Sequence, residues 1–392
     1  MKNRDRILSY ATLLCFILGA ALGLIRPDWA EKLSFVGSVY VTVLKYLALP
    51  ALIVSVFHAA LAGGKHAAGI LMRTLLTFIA MFTASFLLCA ALYAAFSPGT
   101  GASWIQETAW HGEKAAVSFR NMLKNTFSLT SVNSLYFPSA IVAFVAGLLL
   151  SIPGSERIER GTAALEKFCN WLLSYVMLLT PLGVFSLMAK CTGTLGAAAI
   201  ASSGVYIAWA YGGCLLVLLG VMILPLWLVC RVSPVLYFQK NARLFLTAIS
   251  TCSSAATLPE TMRTCREGFE TSDRISGIVA PLGCTIHMCG GAVSFCLLGM
   301  YVMHMRGQTV SLGMLLWMLL VSLLLNMGAP GIPGGGIVLA ATYLGMLGVE
   351  HGELFLGMYA GIYRLLDMAY TSLNVAGDVT ANVLIDRGER GK

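Results

Sequence analysis

The chain has 392 residues, of which 58% are hydrophobic and 11% are charged. A soluble domain carries roughly 25% charged residues, so the 26 Lys and Arg and 18 Asp and Glu are too few to cover a water-facing surface. This composition excludes a soluble globular enzyme and indicates a polytopic protein whose solvent is mostly the lipid bilayer. The net charge of +8 indicates basic cytoplasmic loops rather than a nucleic-acid partner.

Eight apolar stretches are long enough to cross a bilayer, which takes about 20 residues. They lie at about 7–25, 35–62, 70–96, 134–153, 168–189, 203–230, 275–303 and 352–385. Pro50, Pro181 and Pro225 are candidate kinks within them. Two further stretches, about 234–262 and 308–346, have Ser/Thr-rich or Gly/Pro-rich centres. We expect them to be re-entrant hairpins, which a membrane tolerates where they are buried in protein or line a cavity.

The basic residues give the expected orientation. With the N-terminus in the cytoplasm, 17 of the 26 Lys and Arg fall on the cytoplasmic side and seven on the outer side, as the positive-inside rule requires. Both termini are then cytoplasmic, and the two hairpins enter from opposite sides as an inverted repeat. Interrupted segments at matching places in two halves mark the binding site of a secondary transporter. The compact loops favour an inner (plasma) membrane location.

Polar residues recur at spacings of three and four along the last span: Arg364, Asp367, Thr371, Asn374 and Asp378. This spacing places all five on one helix face. A charged side chain at the centre of a membrane helix costs about 2.5–3.5 kcal/mol, so the face is expected to meet partners or a hydrated site. An ion pair would account for Arg364 and Asp367 alone. The oxygens of Asn374 and Asp378 suit a cation such as Na⁺, together with backbone carbonyls.

Three other segments carry candidate ligands. Small hydroxyl residues at the tip of the first hairpin, 251–259, let backbone N–H groups approach an anion. Gly and Pro at 326–336 predict a break in the second hairpin and a mobile gate. In the seventh span, the glycines at 290–291 predict local unwinding that frees carbonyls. His287 and Cys289 are two residues apart, so we expect them on different helix faces and expect no Cys–His nucleophilic pair.

Four motifs, in order, resemble the dicarboxylate/amino acid:cation symporter family, to which the glutamate transporters belong. They are Ser-Ser-x-x-Thr-Leu-Pro from Ser253, Pro-Leu-Gly-x-Thr-Ile from Pro281, Gly-Ile-Pro-Gly-Gly-Gly from Gly331, and Leu-Asp-Met-x-x-Thr-x-x-Asn-Val-x-Gly-Asp from Leu366. The resemblance is most specific over about 235–385. It implies an all-α protein with eight transmembrane helices and two oppositely oriented re-entrant hairpins. It also implies an elevator-type secondary transporter that forms a homotrimer and is not an enzyme.

The resemblance divides the chain into a fixed scaffold and a moving transport domain. Residues 1–69 would hold scaffold helices 1 and 2, and 131–200 scaffold helices 4 and 5. Residues 70–130 would hold helix 3 of the transport domain and an outer loop. The transport-domain core would be 201–392, with helix 6, the hairpins at about 234–262 and 308–346, and helices 7 and 8.

The resemblance also implies the site residues. Substrate contacts fall on Ser253, Ser254, Ile332, Gly336, Asp367, Tyr370, Thr371 and Asn374. Asp367 would meet a substrate amino group. One Na⁺ would be held by Gly283, Asn374 and Asp378. A second would be held by carbonyls of Thr285 and of the start of the second hairpin, at Asn326, Met327 and Ala329.

This chain departs from the family pattern around these sites. Where the family has Asn-Met-Asp-Gly-Thr, the chain reads His-Met-Cys-Gly-Gly from His287. The neutral thiol of Cys289 cannot replace a carboxylate ligand of a hard cation, so a further Na⁺ site is expected to be lost. His287 lies near the remaining site, and H⁺ is therefore an alternative coupling ion.

A second departure concerns the substrate. Tyr370 stands where members that carry acidic substrates have an arginine, and Cys252 stands where an arginine is sometimes found in the first hairpin. Without such a cation an acidic side chain would be buried unpaired, which favours a small neutral amino acid. The alternative is an acidic amino acid or C4-dicarboxylate whose carboxylate is anchored by Arg364. A function of another class, an uncoupled channel or sensor on the same fold, would also account for the missing carboxylate at position 289.

Overall fold

The computed structural model describes residues 2–63, 68–96, 132–151, 155–306, 308–327, 335–349 and 352–390. In this part of the chain all regular structure is helical, which confirms the predicted all-α class. The α-helices are α1 (Lys2–Ile25), α2 (Pro27–Gly63), α3 (Ala68–Phe96), α4 (Val132–Leu149), α5 (Glu156–Val176), α6 (Thr180–Leu195), α7 (Ala198–Val217), α8 (Leu224–Cys230), α9 (Pro234–Thr251), α10 (Ser254–Arg263), α11 (Asp273–Ile286), α12 (Cys289–Met305), α13 (Leu312–Met327), α14 (Gly335–Met346) and α15 (Gly352–Arg390).

Three helical stretches of the described residues are long and apolar enough to cross a bilayer. They are Gly69–Phe96, Ile200–Cys230 and Asp273–Met305, and they coincide with the predicted third, sixth and seventh spans. Shorter apolar helices at Tyr10–Ile25 and Leu49–His58 fall in the predicted first and second spans. The protein therefore has helices suited to crossing a membrane. The full count of eight spans stays a prediction.

Two of the three candidate prolines coincide with a change in helix geometry. A 3₁₀ turn at Met177–Leu179 leads into the first turn of α6, which contains Pro181. A π-helical turn at Leu218–Ile223 leads into the first turn of α8, which contains Pro225. Proline has no N–H to donate to the preceding turn, so the backbone hydrogen bonding changes there. Pro50 lies inside α2, which continues past it.

Small residues bring α1, α2 and α6 close together. A Cβ on Gly19 or Gly23 of α1 would overlap backbone oxygens of α6. Between α2 and α6, the Tyr40 hydroxyl lies 2.8 Å from the Thr180 hydroxyl. Glycine at a helix contact lets two backbones approach closely, which is the usual packing of helices in a membrane.

The long helix α15 lies at the centre of the C-terminal half. Helices α7, α9, α11, α12 and α14 all contact it. The Tyr237 hydroxyl of α9 donates to the carbonyl oxygen of Ala376 at 3.1 Å, and at the end of α15 Arg73 of α3 pairs with Glu389. The polar face predicted for the last span is therefore enclosed by other helices, so its polar groups must find partners inside the protein.

Two breaks between consecutive helices lie next to α15 in the described residues. Between α9 and α10, Cys252 has a φ of 48°, and the Ser253 Oγ caps α10 by accepting the Ala256 N–H at 3.2 Å. Helices α11 and α12 are separated by His287 and Met288, whose backbone is extended or irregular. Helix α13 ends at Met327 and α14 begins at Gly335, so most of the predicted break at 326–336 lies outside the described residues.

The predicted unwinding at the glycines 290–291 is wrong in position, because both glycines lie inside α12 and the break comes just before them. These glycines serve close packing instead. A Cβ on Gly290 would overlap the carbonyl oxygen of Tyr370, and a Cβ on Gly291 would overlap the side chain of Asn326. They let α12 lie directly against α15 and α13.

Candidate functional site

A cavity of about 60 Å³ lies where the helix breaks meet α15. One water molecule needs about 10–15 Å³ of such space, so the cavity has room for a small ligand, roughly four to six waters in size. Its walls come from the α9–α10 tip and from α12, α13, α14 and α15. The lining residues are Cys252, Ser253, Ser254, Met288, Gly291, Ser294, Phe295, Asn326, Gly336, Leu339, Tyr363, Asp367, Tyr370, Thr371 and Asn374.

Most of the substrate residues expected from the sequence lie on this cavity. They are Ser253, Ser254, Gly336, Asp367, Tyr370, Thr371 and Asn374. Arg364 is not part of the described wall. It is half-buried in the turn before Asp367, and its Nε has no hydrogen-bond partner among the described residues. Ile332 lies outside the described residues.

Two helices begin at the cavity, α10 at Ser254 and α14 at Gly335. The first N–H groups of a helix have no partner within the helix, and they carry the positive end of its dipole. Helix N-termini therefore favour an anionic group such as a carboxylate. In the C-terminal half, α10 and α14 therefore bring two helix N-termini to one cavity. The sequence of the first hairpin tip predicts an anion-binding group at the N-terminus of α10.

Asp367 is the one charged side chain in the described wall, and it is 7% exposed. The Thr371 hydroxyl donates to its Oδ1 at 3.2 Å. One turn further along α15, Asn374 Oδ1 accepts the Gly290 N–H at 2.7 Å, while its Nδ2 donates to the sulfur of Met288 at 3.3 Å. The carboxylate of Asp367 can pair with a ligand cation such as an ammonium group, and the amide of Asn374 joins α15 to α12.

Aromatic and apolar side chains form the rest of the wall. Tyr370 is buried, and it lines the cavity together with Phe295, Leu339 and Tyr363. The hydroxyl of Ser294, which also lines the cavity, lies 2.6 Å from the hydroxyl of Tyr359. This wall offers hydroxyl and apolar groups, and in the described part it offers no cation for an acidic ligand side chain.

Next to the cavity, a buried chain of three polar side chains joins the α11–α12 break to α15. His287 Nδ1 lies 2.9 Å from Asp378 Oδ1, and His287 Nε2 lies 3.0 Å from Cys289 Sγ. The imidazole stacks on Phe78 with a centroid distance of 4.4 Å and an interplanar angle of 9°. On the α15 side a Cβ on Gly377 would lie 2.6 Å from the ring Cε1. The imidazole ring of His287 is therefore closely packed by Phe78 and Gly377.

The expectation that His287 and Cys289 point to different faces is therefore wrong. It holds for a continuous helix, but His287 and Met288 lie between two helices. The extended backbone at His287 turns its ring onto the thiol of Cys289, the first residue of α12. Both side chains are buried.

Of the first expected cation set, Gly283 lies against Asp378, whereas the Oδ1 of Asn374 accepts the Gly290 N–H. Gly283 packs against the Asp378 carboxylate so closely that a Cβ would overlap Oδ1. The carbonyl oxygen of Gly283 accepts the His287 N–H at 2.9 Å. Asp378 Oδ2 is buried and has no hydrogen-bond partner among the described residues. An unpartnered carboxylate oxygen is a ligand that suits Na⁺.

The second expected cation set is only partly described. The Thr285 hydroxyl donates to the carbonyl oxygen of Leu282 at 2.8 Å. Asn326 lines the cavity and donates its Nδ2 to Ser322 at 2.7 Å. Met327 is the last residue of α13, and Ala329 lies outside the described residues.

Sequence reasoning missed several wall residues: Met288, Ser294, Phe295, Leu339 and Tyr363. Tyr363 lies four residues before Asp367 and therefore shares its helix face, so the periodicity of the last span could have identified it. The others sit in apolar stretches without a distinguishing pattern.

Comparisons with known proteins identify the family. A family model described as the sodium:dicarboxylate symporter family matches residues 8–388. A Caenorhabditis elegans protein, whose name describes a sodium-dependent excitatory amino acid transporter, is 29% identical over 257 residues, which cover 63% of this chain and 50% of the relative. An uncharacterized symporter of Haemophilus influenzae is 32% identical over 263 residues, which cover 66% of this chain and 59% of the relative. The chain spans about half to three fifths of the length of these relatives. With a match over nearly its whole length, the chain belongs to the sodium:dicarboxylate symporter family, whose members are transporters rather than enzymes.

Proposed function

We propose that the protein is a secondary active symporter that couples inward movement of Na⁺ to uptake of a small neutral amino acid. The observation that carries this proposal is the composition of the cavity wall. Asp367 is its one charged side chain in the described part, and two helix N-termini open onto the same space. The ammonium group of an amino acid would pair with Asp367, and its carboxylate would meet the helix N-termini.

The neutral character of the substrate follows from the remaining wall. The substrate side chain would lie against Tyr370 and Phe295, which provide no charge. An acidic side chain would lose its hydration there without gaining a cation, which is costly. The volume of about 60 Å³ also favours a small ligand.

A second substrate class is an acidic amino acid or C4-dicarboxylate, with Arg364 as the carboxylate anchor. The name of the family and the name of the Caenorhabditis elegans relative favour this class. In the structure, the observation that supports it is the Nε of Arg364, which has no hydrogen-bond partner among the described residues. To serve as the anchor, the guanidinium would have to turn towards the cavity.

The coupling ion has two candidates. Na⁺ is favoured by the family and by the buried, unpartnered Oδ2 of Asp378, with Gly283 and Asn374 as further ligands. H⁺ is favoured by the 2.9 Å contact between His287 and Asp378, because a proton can pass between an imidazole nitrogen and a carboxylate oxygen at hydrogen-bond distance.

For the whole protein we propose a homotrimer in the inner (plasma) membrane with both termini in the cytoplasm. The transport domain would contain α3 and α7 to α15, and the scaffold would contain α1, α2 and α4 to α6. The close packing of α1 and α2 on α6 supports the scaffold. Helices α7, α9, α11, α12 and α14 gather around α15 and support the transport domain, and α6 packs on α15 where the two parts would meet.

Uptake into proteoliposomes tests the proposal. An inward Na⁺ gradient should raise the initial uptake rate of a neutral amino acid such as L-alanine or L-serine above that of L-aspartate. Stimulation by an inward pH gradient alone would move the coupling to H⁺. Preference for L-aspartate or succinate would establish the acidic class, and flux that never exceeds equilibration would indicate a channel.

A further inference from the structure

Another cavity, of about 420 Å³, lies against the face of α15 that points away from Asp367. Its walls come from α7 and the π-helical turn after it, from α9 and from α15. We call it the apolar groove, and its lining residues are Tyr211, Cys214, Leu215, Leu218, Phe238, Phe245, Ile249, Met368, Ala369, Ser372 and Leu373. On α15 these residues share their turns with Asp367, Tyr370 and Thr371, which line the smaller cavity. One helix therefore separates the two cavities.

The apolar groove offers a ligand almost no polar group. Its two hydroxyls already have partners. Tyr211 donates to the carbonyl oxygen of Leu365 at 2.8 Å, and Ser372 donates to that of Met368 at 2.7 Å. The other lining side chains are aliphatic, aromatic or sulfur-containing. A ligand in this groove therefore gains its binding energy from the burial of apolar surface.

The groove has the depth of one leaflet of the bilayer. One of its walls belongs to the helical stretch Ile200–Cys230, which is long and apolar enough to cross a membrane, and its residues Leu215 and Phe238 are exposed. Along α9 the groove extends from Phe238 to Ile249, a rise of about 16 Å at 1.5 Å for each residue. The hydrocarbon core is about 30 Å thick, so one leaflet is about 15 Å deep. This length matches one acyl chain.

A cation lies at one end of the groove. Helices α8 and α9 are joined by residues 231–233, one turn of helix from Phe238. Arg231 is exposed there, and its side chain has no ion pair among the described residues. Arg243, further along α9, is paired with Glu260 at 3.2 Å. In the proposed orientation Arg231 lies at the cytoplasmic surface, where anionic lipids attract basic residues.

We propose that the apolar groove binds one acyl chain of an anionic phospholipid of the cytoplasmic leaflet, with the phosphate of the lipid next to Arg231. The chain would lie on Met368, Ala369 and Leu373. It would thus pack against the helix that carries Asp367 on its other face. The charge of Arg231 selects the headgroup, and the apolar wall holds the chain.

Photo-cross-linking locates the bound chain. The full-length protein is reconstituted in phosphatidylcholine vesicles with a trace of phosphatidylglycerol or phosphatidylcholine that carries a diazirine in one acyl chain, and mass spectrometry maps the labelled residues. Residues 368–373 should be labelled about fivefold more by the phosphatidylglycerol probe, the value of one basic residue next to an anionic lipid. Ile79, exposed on α3 and outside the groove, should be labelled equally by both probes.

Two substitutions separate the chain from the headgroup. Ala369→Phe places a ring in the groove and should lose the labelling of residues 368–373, whereas Ala80→Phe, at an exposed alanine of α3, should keep it. Arg231→Gln should remove the preference for phosphatidylglycerol, and Arg243→Gln should retain it.

Two results would overturn the inference. One is labelling of Ile79 without labelling of residues 368–373 in the wild type, as expected if protein, such as a second copy of the chain, covers the groove. The other is equal labelling by the two probes, or a preference that Arg231→Gln retains. Neither result depends on the transported substrate, so the proposed function would stand.

Discussion

Asp378→Asn is the sharpest test of the cation site. The substitution keeps the size of the side chain and an acceptor oxygen for His287, whose Nδ1 lies 2.9 Å from Asp378 Oδ1. It removes the negative charge and replaces one oxygen by an amide nitrogen. If Na⁺ binds at the buried Oδ2, the variant loses its one charged ligand in this set, because Gly283 and Asn374 offer only neutral oxygens.

The expected size of the effect follows from the loss of a charged partner. Interactions with a charged group contribute about 1.5–3 kcal/mol, and each 1.4 kcal/mol is a factor of ten in affinity. The Na⁺ affinity of Asp378→Asn should therefore be about 10- to 150-fold weaker than that of the wild type. The contact with His287 survives as a neutral hydrogen bond, so the variant should still fold.

Thermal stability as a function of NaCl measures this affinity, with KCl at equal ionic strength as the salt control. Asp386→Asn is the matched variant. Asp386 lies two turns further along α15 and accepts the Ser272 N–H at 3.0 Å. Its loss should lower stability without changing the response to Na⁺. A response to Na⁺ that Asp378→Asn retains in full would refute the assignment of Asp378 as a ligand, and a wild type that does not distinguish Na⁺ from K⁺ would refute Na⁺ binding altogether.

Three further substitutions address the cavity and its packing. Asp367→Asn should weaken amino acid binding about 10- to 150-fold, the loss of a charged partner for the ammonium group, as measured by thermal-shift titration; unaltered binding would exclude Asp367 from the site. Tyr370→Arg should bring a cation to the wall and shift uptake from L-alanine towards L-aspartate, and a variant that gained no aspartate uptake would show that the side chain of the substrate lies elsewhere. Gly290→Ala should cost about 1–3 kcal/mol of stability, because its Cβ would overlap the Tyr370 carbonyl oxygen. Gly277→Ala is the control, with no atom within 4 Å of its Cβ, and equal melting temperatures for the two variants would contradict the close packing of α12.

The helix face of the last span could be predicted from the sequence because one periodicity governs it. The spacing of Asp367, Thr371 and Asn374 places them together on α15, and all three line the cavity. The same rule could have added Tyr363. It does not fix how far along the helix the cavity extends, and Arg364, on the same face, lies outside the described wall.

Contacts between separate elements could not be predicted in this way. The break at His287 has no signal of its own, since neither His287 nor Met288 is a strong helix breaker. The adjacent glycines predict the break, although in the structure they serve close helix packing. The contact of His287 with Cys289 depends on that break, so a rule for continuous helices gave the wrong answer. Ser294 and Phe295 reach the wall only through the tertiary packing of α12.

We propose that this cavity belongs to a cation-coupled symporter for a small neutral amino acid. Steady-state accumulation of radiolabelled L-alanine and L-serine in proteoliposomes, with and without an inward Na⁺ gradient, tests it most directly. A coupled symporter should hold the internal concentration well above the external one while the gradient lasts, and Asp367→Asn should lose this accumulation. Internal and external concentrations of both amino acids that stay equal under an inward Na⁺ gradient and an inward pH gradient would contradict it.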